Sequence, residues 1–179
     1  MANQRLSSRY ANSILQLAKE GNILTDVFSD MQLIKKTITD SKDLKLMLNS
    51  PIVSAKDKTV VLTKVFGGNV KDLTTKFLSL LISKGREGFL LEISNEFIAE
   101  YNSIHKIADI TLLTAIPATV KIVEEVTSLL TKSGTYSKVS IKQEVDPKII
   151  GGFVLKMDDQ LLDNSIQRKL QVIKKGLQK

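Results

Sequence analysis

The spacing of apolar residues changes once along this chain, close to residue 105. Before that point, apolar residues recur every three or four positions, as they do on the buried face of an α-helix. After it, segments such as Lys138–Lys142 alternate between polar and apolar residues, which is typical of a half-buried β-strand. The sequence therefore predicts an α+β chain in which a helical part precedes a part built around a sheet.

Six helices are predicted within residues 1–105 from the apolar spacing and from the signals at helix ends. Gly21 and Asn22 stand where the first helix is expected to end. Ser41 and Ser54 stand where the N-caps of the third and fourth helices are expected. Because the connections between helices are short, we predict an antiparallel six-helix bundle.

Residues 106–179 are predicted to form a small domain with the element order β-α-β-β-β-α. Ile107–Thr114 is rich in Ile, Leu and Thr, as strands are. A helical stripe follows and ends at Gly134, Asp158–Gln160 is predicted as a turn, and Ser165 is expected to cap the last helix. The other strands are expected at residues 138–142, 152–157 and 161–163.

Composition excludes several kinds of chemistry. The 179 residues include no Cys and one His, which rules out disulfides, thiol nucleophiles and two-histidine metal sites. Gly67-Gly68 lacks the Lys-Ser/Thr that a phosphate-binding loop needs, so it is interpreted as a helix end. His105 is interpreted as a dipole partner at the end of the sixth helix. Asp158 and Asp159, which are adjacent to each other, are interpreted as turn formers, because a metal site needs further oxygen ligands at suitable spacing. We therefore expect no cofactor, no metal and no catalysis, and a chain that acts by binding.

The charge of the chain is basic but evenly distributed. The net charge is +7, with 14 Lys/Arg against 11 Asp/Glu in residues 1–105 and 12 against 8 in residues 106–179. A nucleic-acid-binding protein usually concentrates its positive charge on one face. Only the C-terminal tail is strongly biased, and a cationic helix end that complements its own dipole is the favoured interpretation there.

The first predicted helix carries more apolar surface than one buried face requires. One stripe consists of Ala11, Ile14, Leu15 and Ala18, and a neighbouring stripe consists of Leu6, Tyr10, Ser13 and Leu17. A surface helix needs a single stripe about 100° wide. The second stripe has two interpretations, burial in the bundle or a groove that receives a partner's amphipathic helix.

No membrane-spanning or export segment is predicted. The longest uncharged run, residues 110–120, is too short to cross a bilayer, and Pro117 interrupts it. The N-terminus lacks an apolar signal core, so a cytoplasmic location is expected.

Several short motifs occur in an order that is known from one protein family. They are Arg9-Tyr10-Ala11, Phe77–Leu81 followed by Lys84-Gly85-Arg86, Ala115-Ile116-Pro117, Val145–Val154 and Leu162–Ile166. In order and spacing the chain resembles the delta subunit of bacterial F-type ATP synthase, a family that includes the mitochondrial oligomycin sensitivity-conferring protein. The resemblance covers the whole chain. Departures occur at Asp158 and Asn164, where the family usually has Gly, and at Gln167, where it has a basic residue.

The resemblance implies a non-catalytic stator subunit of the peripheral stalk, present in one copy and not as a homo-oligomer. The domain at residues 1–105 would hold N-terminal helices of the alpha subunits in a groove between the first and fifth helices. The domain at 106–179 would hold the C-terminal helices of the b subunit, so that proton-driven rotation is coupled to ATP synthesis. It also implies a peripheral location on the cytoplasmic face of the bacterial inner membrane, and no nucleic-acid partner.

Candidate contact residues follow from the same resemblance. For the alpha-subunit groove they are Leu6, Tyr10, Ser13, Leu17, Phe77, Leu81 and Lys84. Core packing is an equally good interpretation of Leu81. For the b-subunit contact or the C-terminal signature they are Gly151, Gly152, Ile166, Arg168 and Lys169.

One alternative function from a different class stays open at this point. A basic helical RNA-binding adaptor of the antitermination-factor type would explain the isoelectric point near 9.5. It predicts steep salt dependence and phosphate contacts, and it leaves the β-rich final third unexplained. An enzyme ranks below both hypotheses because it has no candidate residues.

Overall fold

The computed structural model describes residues 2–116, 122–124, 126–128, 138–146, 149–157 and 160–177. The chain divides into two compact units, Met1–Tyr101 and Asn102–Lys179. Helices occupy the first, and strands with further helix occupy the second. The prediction of a mixed chain, helical first and sheet-containing second, is confirmed.

The N-terminal unit is built from helices joined by short turns. Ser41 accepts a hydrogen bond from the Leu44 amide, and Ser54 accepts one from the Asp57 amide, so both predicted caps are present. A short 3₁₀ turn, Glu87–Phe89, precedes the last of these helices. The helices are α1 (Ala2–Glu20), α2 (Leu24–Asp40), α3 (Lys42–Asn49), α4 (Ala55–Phe66), α5 (Asp72–Ser83) and α6 (Leu90–Ile104).

The core of this unit forms where the apolar stripes of the helices meet. The inner stripe of α1, with Ala11, Ile14 and Ala18, is fully buried, as expected for the face that packs on the bundle. Phe28 of α2 stacks on Tyr101 of α6, with ring centroids 3.9 Å apart. The deepest side chains come from α2, α4, α5 and α6 as well: Val27, Met31, Ile34, Phe66, Leu81, Leu90, Ile93 and Phe97.

A buried carboxylate positions the start of α5. Asp30 of α2 accepts hydrogen bonds from the Lys71 amide, at 2.8 Å, and from the Thr74 hydroxyl, at 2.6 Å. Lys71 is the N-cap residue of α5 and makes no side-chain cap of its own. Asp30 therefore supplies the cap from another helix, and its negative charge lies at the positive end of the α5 dipole.

A second buried charge connects α4 with the turn before α6. The Lys58 ammonium lies 2.7 Å from Glu87 Oε1 and donates a hydrogen bond to the Leu48 carbonyl at 3.0 Å. Both side chains are almost completely removed from solvent. Since a buried charge is tolerated only when it is paired and hydrogen-bonded, these contacts tie three elements together at one point.

The C-terminal unit contains a four-stranded sheet in the order β2-β1-β3-β4. The strands are β1 (Ile107–Thr114), β2 (Lys138–Val145), β3 (Phe153–Met157) and β4 (Gln160–Asp163). β1 pairs with β2 in parallel and with β3 in antiparallel orientation. A parallel pair needs a crossover connection, and residues 122–124 and 126–128 are helical in that position. The final helix, α7, spans Ile166–Leu177.

Two strands extend further than the sequence indicated, and β3 begins at Phe153 instead of Gly152, whose φ of +78° is not that of a strand. β2 continues to Val145 because the parallel register places it opposite Thr114, the last residue of β1. β4 begins at Gln160, which was expected in the turn, because Gln160 pairs with Met157. The rest of that turn, Asp158-Asp159, and the predicted helix end at Gly134 lie outside the described residues. The core of the sheet consists of Ala108, Ile110, Leu112, Val126 and Leu155.

The predicted cap of α7 also controls the titration of a carboxyl group. Ser165 accepts a hydrogen bond from the Arg168 amide, and its own amide donates to Asp163 Oδ1 at 2.9 Å. Hydrogen bonds from the Ser165 side chain and backbone, in that order, lower the pKa of Asp163 below its ordinary value. Because the pKa is lower in the folded state, ionised Asp163 stabilises the fold at pH values above its unfolded-state pKa. This stabilisation is lost as the pH falls through the folded-state pKa.

We expect Ser165→Ala to raise the pKa of Asp163 toward its ordinary value, because the Ser165 side-chain hydrogen bond, the main cause of the lowering, is removed. Carboxyl carbon shifts followed by NMR from neutral to acidic pH would measure it. Glu144 is the internal control, since its pKa is lowered by the hydrogen bond and charge of Lys142 and should not move. An unchanged Asp163 titration would show that Ser165 has no such role.

Candidate functional site

A ring contact joins α1 to α5. The rings of Tyr10 and Phe77 meet edge to face, with centroids 6.4 Å apart and an angle of 67° between their planes. Tyr10 is half-buried and Phe77 is buried. Such an aromatic pair contributes about 0.5–1.5 kcal/mol of stability beyond the contribution of the apolar surface that it buries. The structure therefore brings together two of the seven candidate groove residues, one from each helix.

The remaining candidates on α1 line one exposed stripe. Leu6 is half-buried, and Leu17 keeps 52% of its surface exposed. Ser13 is exposed and its hydroxyl donates to the Arg9 carbonyl at 2.8 Å. The second apolar stripe of α1 is therefore available for contact, in contrast to the buried inner stripe.

The candidates on α5 divide differently. Leu81 is buried in the core, so the core-packing interpretation describes its position, and it offers no surface to a partner. Its neighbour Leu80 is 46% exposed and had not been predicted. Lys84 is exposed at the C-cap of α5. Adjacent residues on a helix point about 100° apart, so Leu80 can face the surface while Leu81 faces the core.

Two glycines shape the second candidate region, where β3 begins. Gly152 has φ of +78°, and a Cβ placed there would collide with the backbone oxygen of Asn164. A Cβ on Gly151 would lie 2.8 Å from Cδ1 of Ile166. Both glycines therefore allow the chain before β3 to pass closely over the start of α7. Arg168 and Lys169 are exposed in the first turns of α7.

An apolar cavity of about 360 Å³ opens beside these glycines. Its walls come from the end of β1, the helical residues after it and the segment before β3. The side chains in its walls are those of Thr114, Ile116, Ile122, Val126, Ile150 and Phe153. Ala115, Gly151 and Gly152 also line it, so this part of the C-terminal signature lies at a concave surface.

Ile150, at the mouth of the cavity, was missed by the sequence analysis. Its φ is +64°, a conformation that is disfavoured for a β-branched residue. The Gly151 amide donates to the Ile149 carbonyl at 2.6 Å and closes a three-residue turn around Ile150. The only sequence signal was the Gly-Gly pair that follows, and it gave no indication that Ile150 itself would be left-handed.

The described residues include no group of three His, Cys, Asp or Glu side chains placed to hold a metal ion. None of the helices in the part of the chain that the structure describes is long and apolar enough to cross a membrane.

Residues 6–177 match the family model for the ATP synthase delta (OSCP) subunit. This chain belongs to that family. The delta subunit of ATP synthase from Cytophaga hutchinsonii is 37% identical over 174 residues, which cover 97% of this chain and 94% of that protein. The delta subunit from Christiangramia forsetii is 34% identical over 177 residues, which cover 99% and 95%.

A solved structure agrees with the fold of this delta/OSCP chain. A chain in the cryo-EM structure of the Toxoplasma gondii mitochondrial ATP synthase hexamer superposes with a TM-score of 0.77 at 20% identity. The superposition covers 97% of this chain and 98% of that one.

Membership of the delta/OSCP family decides between the functional hypotheses. The family is a peripheral-stalk component of F-type ATP synthase and a structural, non-catalytic subunit. The predictions of a stator subunit and of no enzymatic activity are confirmed, and the RNA-binding alternative is not supported.

Proposed function

We propose that this chain links the catalytic head of the ATP synthase to its stalk through two separate surfaces. Residues 1–105, arranged as an antiparallel six-helix bundle, hold N-terminal helices of the alpha subunits. Residues 106–179 hold the C-terminal helices of the b subunit. The subunit is present in one copy and lies at the cytoplasmic face of the bacterial inner membrane through the rest of the complex.

The observation that carries the head contact is the Tyr10–Phe77 pair between α1 and α5. Leu17 follows Tyr10 by two helical turns, and Leu80 follows Phe77 by about one, and both are about half exposed. Single exposed leucines are common, but two beside a buried aromatic contact give the apolar anchors that a helix-in-groove interface needs. Lys84 at the end of α5 offers a positive charge at the rim.

A calorimetric titration tests this contact with the full-length chain and a synthetic peptide of the same organism's alpha-subunit N-terminus. We expect saturable binding, weakened about tenfold or more by Leu17→Asp or Leu80→Asp, because each places a charge in an apolar interface. Leu46→Asp on α3 is the matched control, since Leu46 is also an exposed helical leucine. Failure of the peptide to bind, or equal binding by all three variants, would contradict the proposed groove.

The stalk contact is supported by the exposed basic residues and the cavity of the C-terminal unit. Arg168 and Lys169 are exposed in the first turns of α7, the helix whose start lies against the glycines that line the cavity. Basic side chains at the edge of an apolar surface speed encounter with an acidic partner, while the apolar surface provides the retention that a stator needs.

A further inference from the structure

We propose that the C-terminal unit binds an amphipathic helix with an acidic edge along one apolar track, and that the cavity beside Ile150 receives one apolar side chain of that helix. The track is defined as Ile116, Ile150, Gly151, Ile166 and Leu170. The inference rests on the proposed stalk contact and specifies which residues make it and what chemistry the partner brings.

The apolar side chains of the track are exposed. Ile116 is 73% and Ile150 is 65% exposed at the mouth of the cavity. Ile166 and Leu170 on α7 are each about half exposed, although they belong to the apolar stripe of that helix. An apolar stripe that a helix does not bury in its own unit is the surface expected for a partner.

Gly151 makes the track continuous. It lines the cavity, its carbonyl accepts the Ile166 amide at 3.0 Å, and its missing side chain leaves room for the Ile166 side chain. Leu170 lies one turn further along α7, on the same face as Ile166. The cavity lining at Gly151 therefore lies next to the Ile166 side chain at the start of α7.

The backbone at Ile150 points to a binding role. A left-handed β-branched residue is costly, and such conformations cluster where ligands or partners are held. Here the tight turn keeps a large apolar side chain largely in solvent at the rim of an apolar cavity. The strained turn and the exposed isoleucine do not stabilise the C-terminal unit by itself. Both suit a surface that contacts the inserted side chain of a partner.

The positive charge beside the track indicates that the partner helix carries acidic residues along the edge of its apolar stripe. Lys169 and Lys174 are exposed and flank the Ile166–Leu170 stripe by helical spacing, and residues 166–177 contain no Asp or Glu. Arg168 is also exposed but lies on the opposite face of α7. A helix with acidic residues beside its apolar stripe complements this arrangement. A basic amphipathic helix also suits an anionic lipid surface, but a lipid surface has no side chain to place in a concave cavity. The cavity therefore favours the protein helix.

Binding of the soluble C-terminal segment of the same organism's b subunit to the full-length chain tests the track. We expect Ile116→Asp and Leu170→Asp each to weaken binding about tenfold or more, because both side chains are exposed and a charge would be buried by the partner. Ile52→Asp is the matched control, since Ile52 is 93% exposed in the N-terminal unit. The double variant Lys169→Glu/Lys174→Glu should slow association at low salt, because these two exposed cations flank the stripe.

Each other result has a distinct meaning. If the wild-type chain binds the b segment and the two track variants bind equally well, the track is wrong and the stalk contact stands. If the wild-type chain does not bind the segment, both proposals fail. If the wild-type chain instead co-sediments with anionic vesicles, and Leu170→Asp abolishes this, the track belongs to a lipid surface and the proposed helix is wrong.

Discussion

Gly152→Ala is expected to destabilise the C-terminal unit by about 2–5 kcal/mol. Left-handed backbone at a non-glycine residue costs about 1–2 kcal/mol, and a forced steric overlap adds about 1–3 kcal/mol. The overlap is with backbone, the Asn164 oxygen and Ser165 Cα, which cannot rotate away as a side-chain end can. Native-state hydrogen exchange of the β3 and α7 amides would measure the loss, because it reports each unit separately.

Gly68→Ala separates the two causes. Gly68 has φ of +80°, nearly the same as Gly152, and a Cβ there meets no atom within 4 Å. This variant should cost only the conformational part, about 1–2 kcal/mol, in the N-terminal unit. Equal losses from the two substitutions would show that the close approach of Gly152 to α7 has no energetic weight.

Lys58→Met is expected to destabilise the N-terminal unit by about 3–5 kcal/mol. Removal of one partner of a buried ion pair leaves the other charge without compensation, and here Glu87 would be left almost fully buried. The Leu48 carbonyl would lose its ammonium donor as well. Denaturant unfolding followed by circular dichroism at 222 nm, which is dominated by the helices, is the measurement.

Two further variants test whether the loss of stability arises from the burial of the ion pair. Lys71→Met breaks an ion pair with Asp26 whose side chains are about half exposed, so it should cost less than about 1 kcal/mol. The double variant Lys58→Met/Glu87→Leu removes both buried charges and should recover most of the stability. A loss for Lys58→Met no larger than that for Lys71→Met would contradict the expected role of the buried pair.

Local signals predicted most of the fold. Ser41, Ser54 and Ser165 cap helices where the sequence indicated, because an N-cap depends on residues within one turn. The strands at β1 and β3 were found because their composition and apolar content are local properties. The two stripes of α1 were also visible in the sequence, and the structure buries the inner one and leaves the other partly exposed.

Features that depend on distant residues could not be predicted. Asp30 caps α5 from 41 residues away, so the start of α5 at Asp72 has no local signal. The Lys58–Glu87 pair spans 29 residues, and a lone Lys on a helix is ordinarily solvated. The resemblance placed the candidate groove between α1 and α5, and that placement stays a prediction. Leu81 is buried and Leu80 is exposed because of the rotation of α5 against its neighbours, which no local pattern specifies.

The sheet order has a consequence for the time at which each unit acquires its structure during synthesis. β1 is bonded on one side to β2 and on the other to β3, so its ladder is incomplete until Met157 has been made. The parallel β1–β2 pair also closes a loop across the helical residues between the strands, and non-local pairing of this kind is slow. The N-terminal helices are complete once Ile104 has been synthesised, so we expect them to fold first on the ribosome, while the sheet needs residues up to Met157 and beyond.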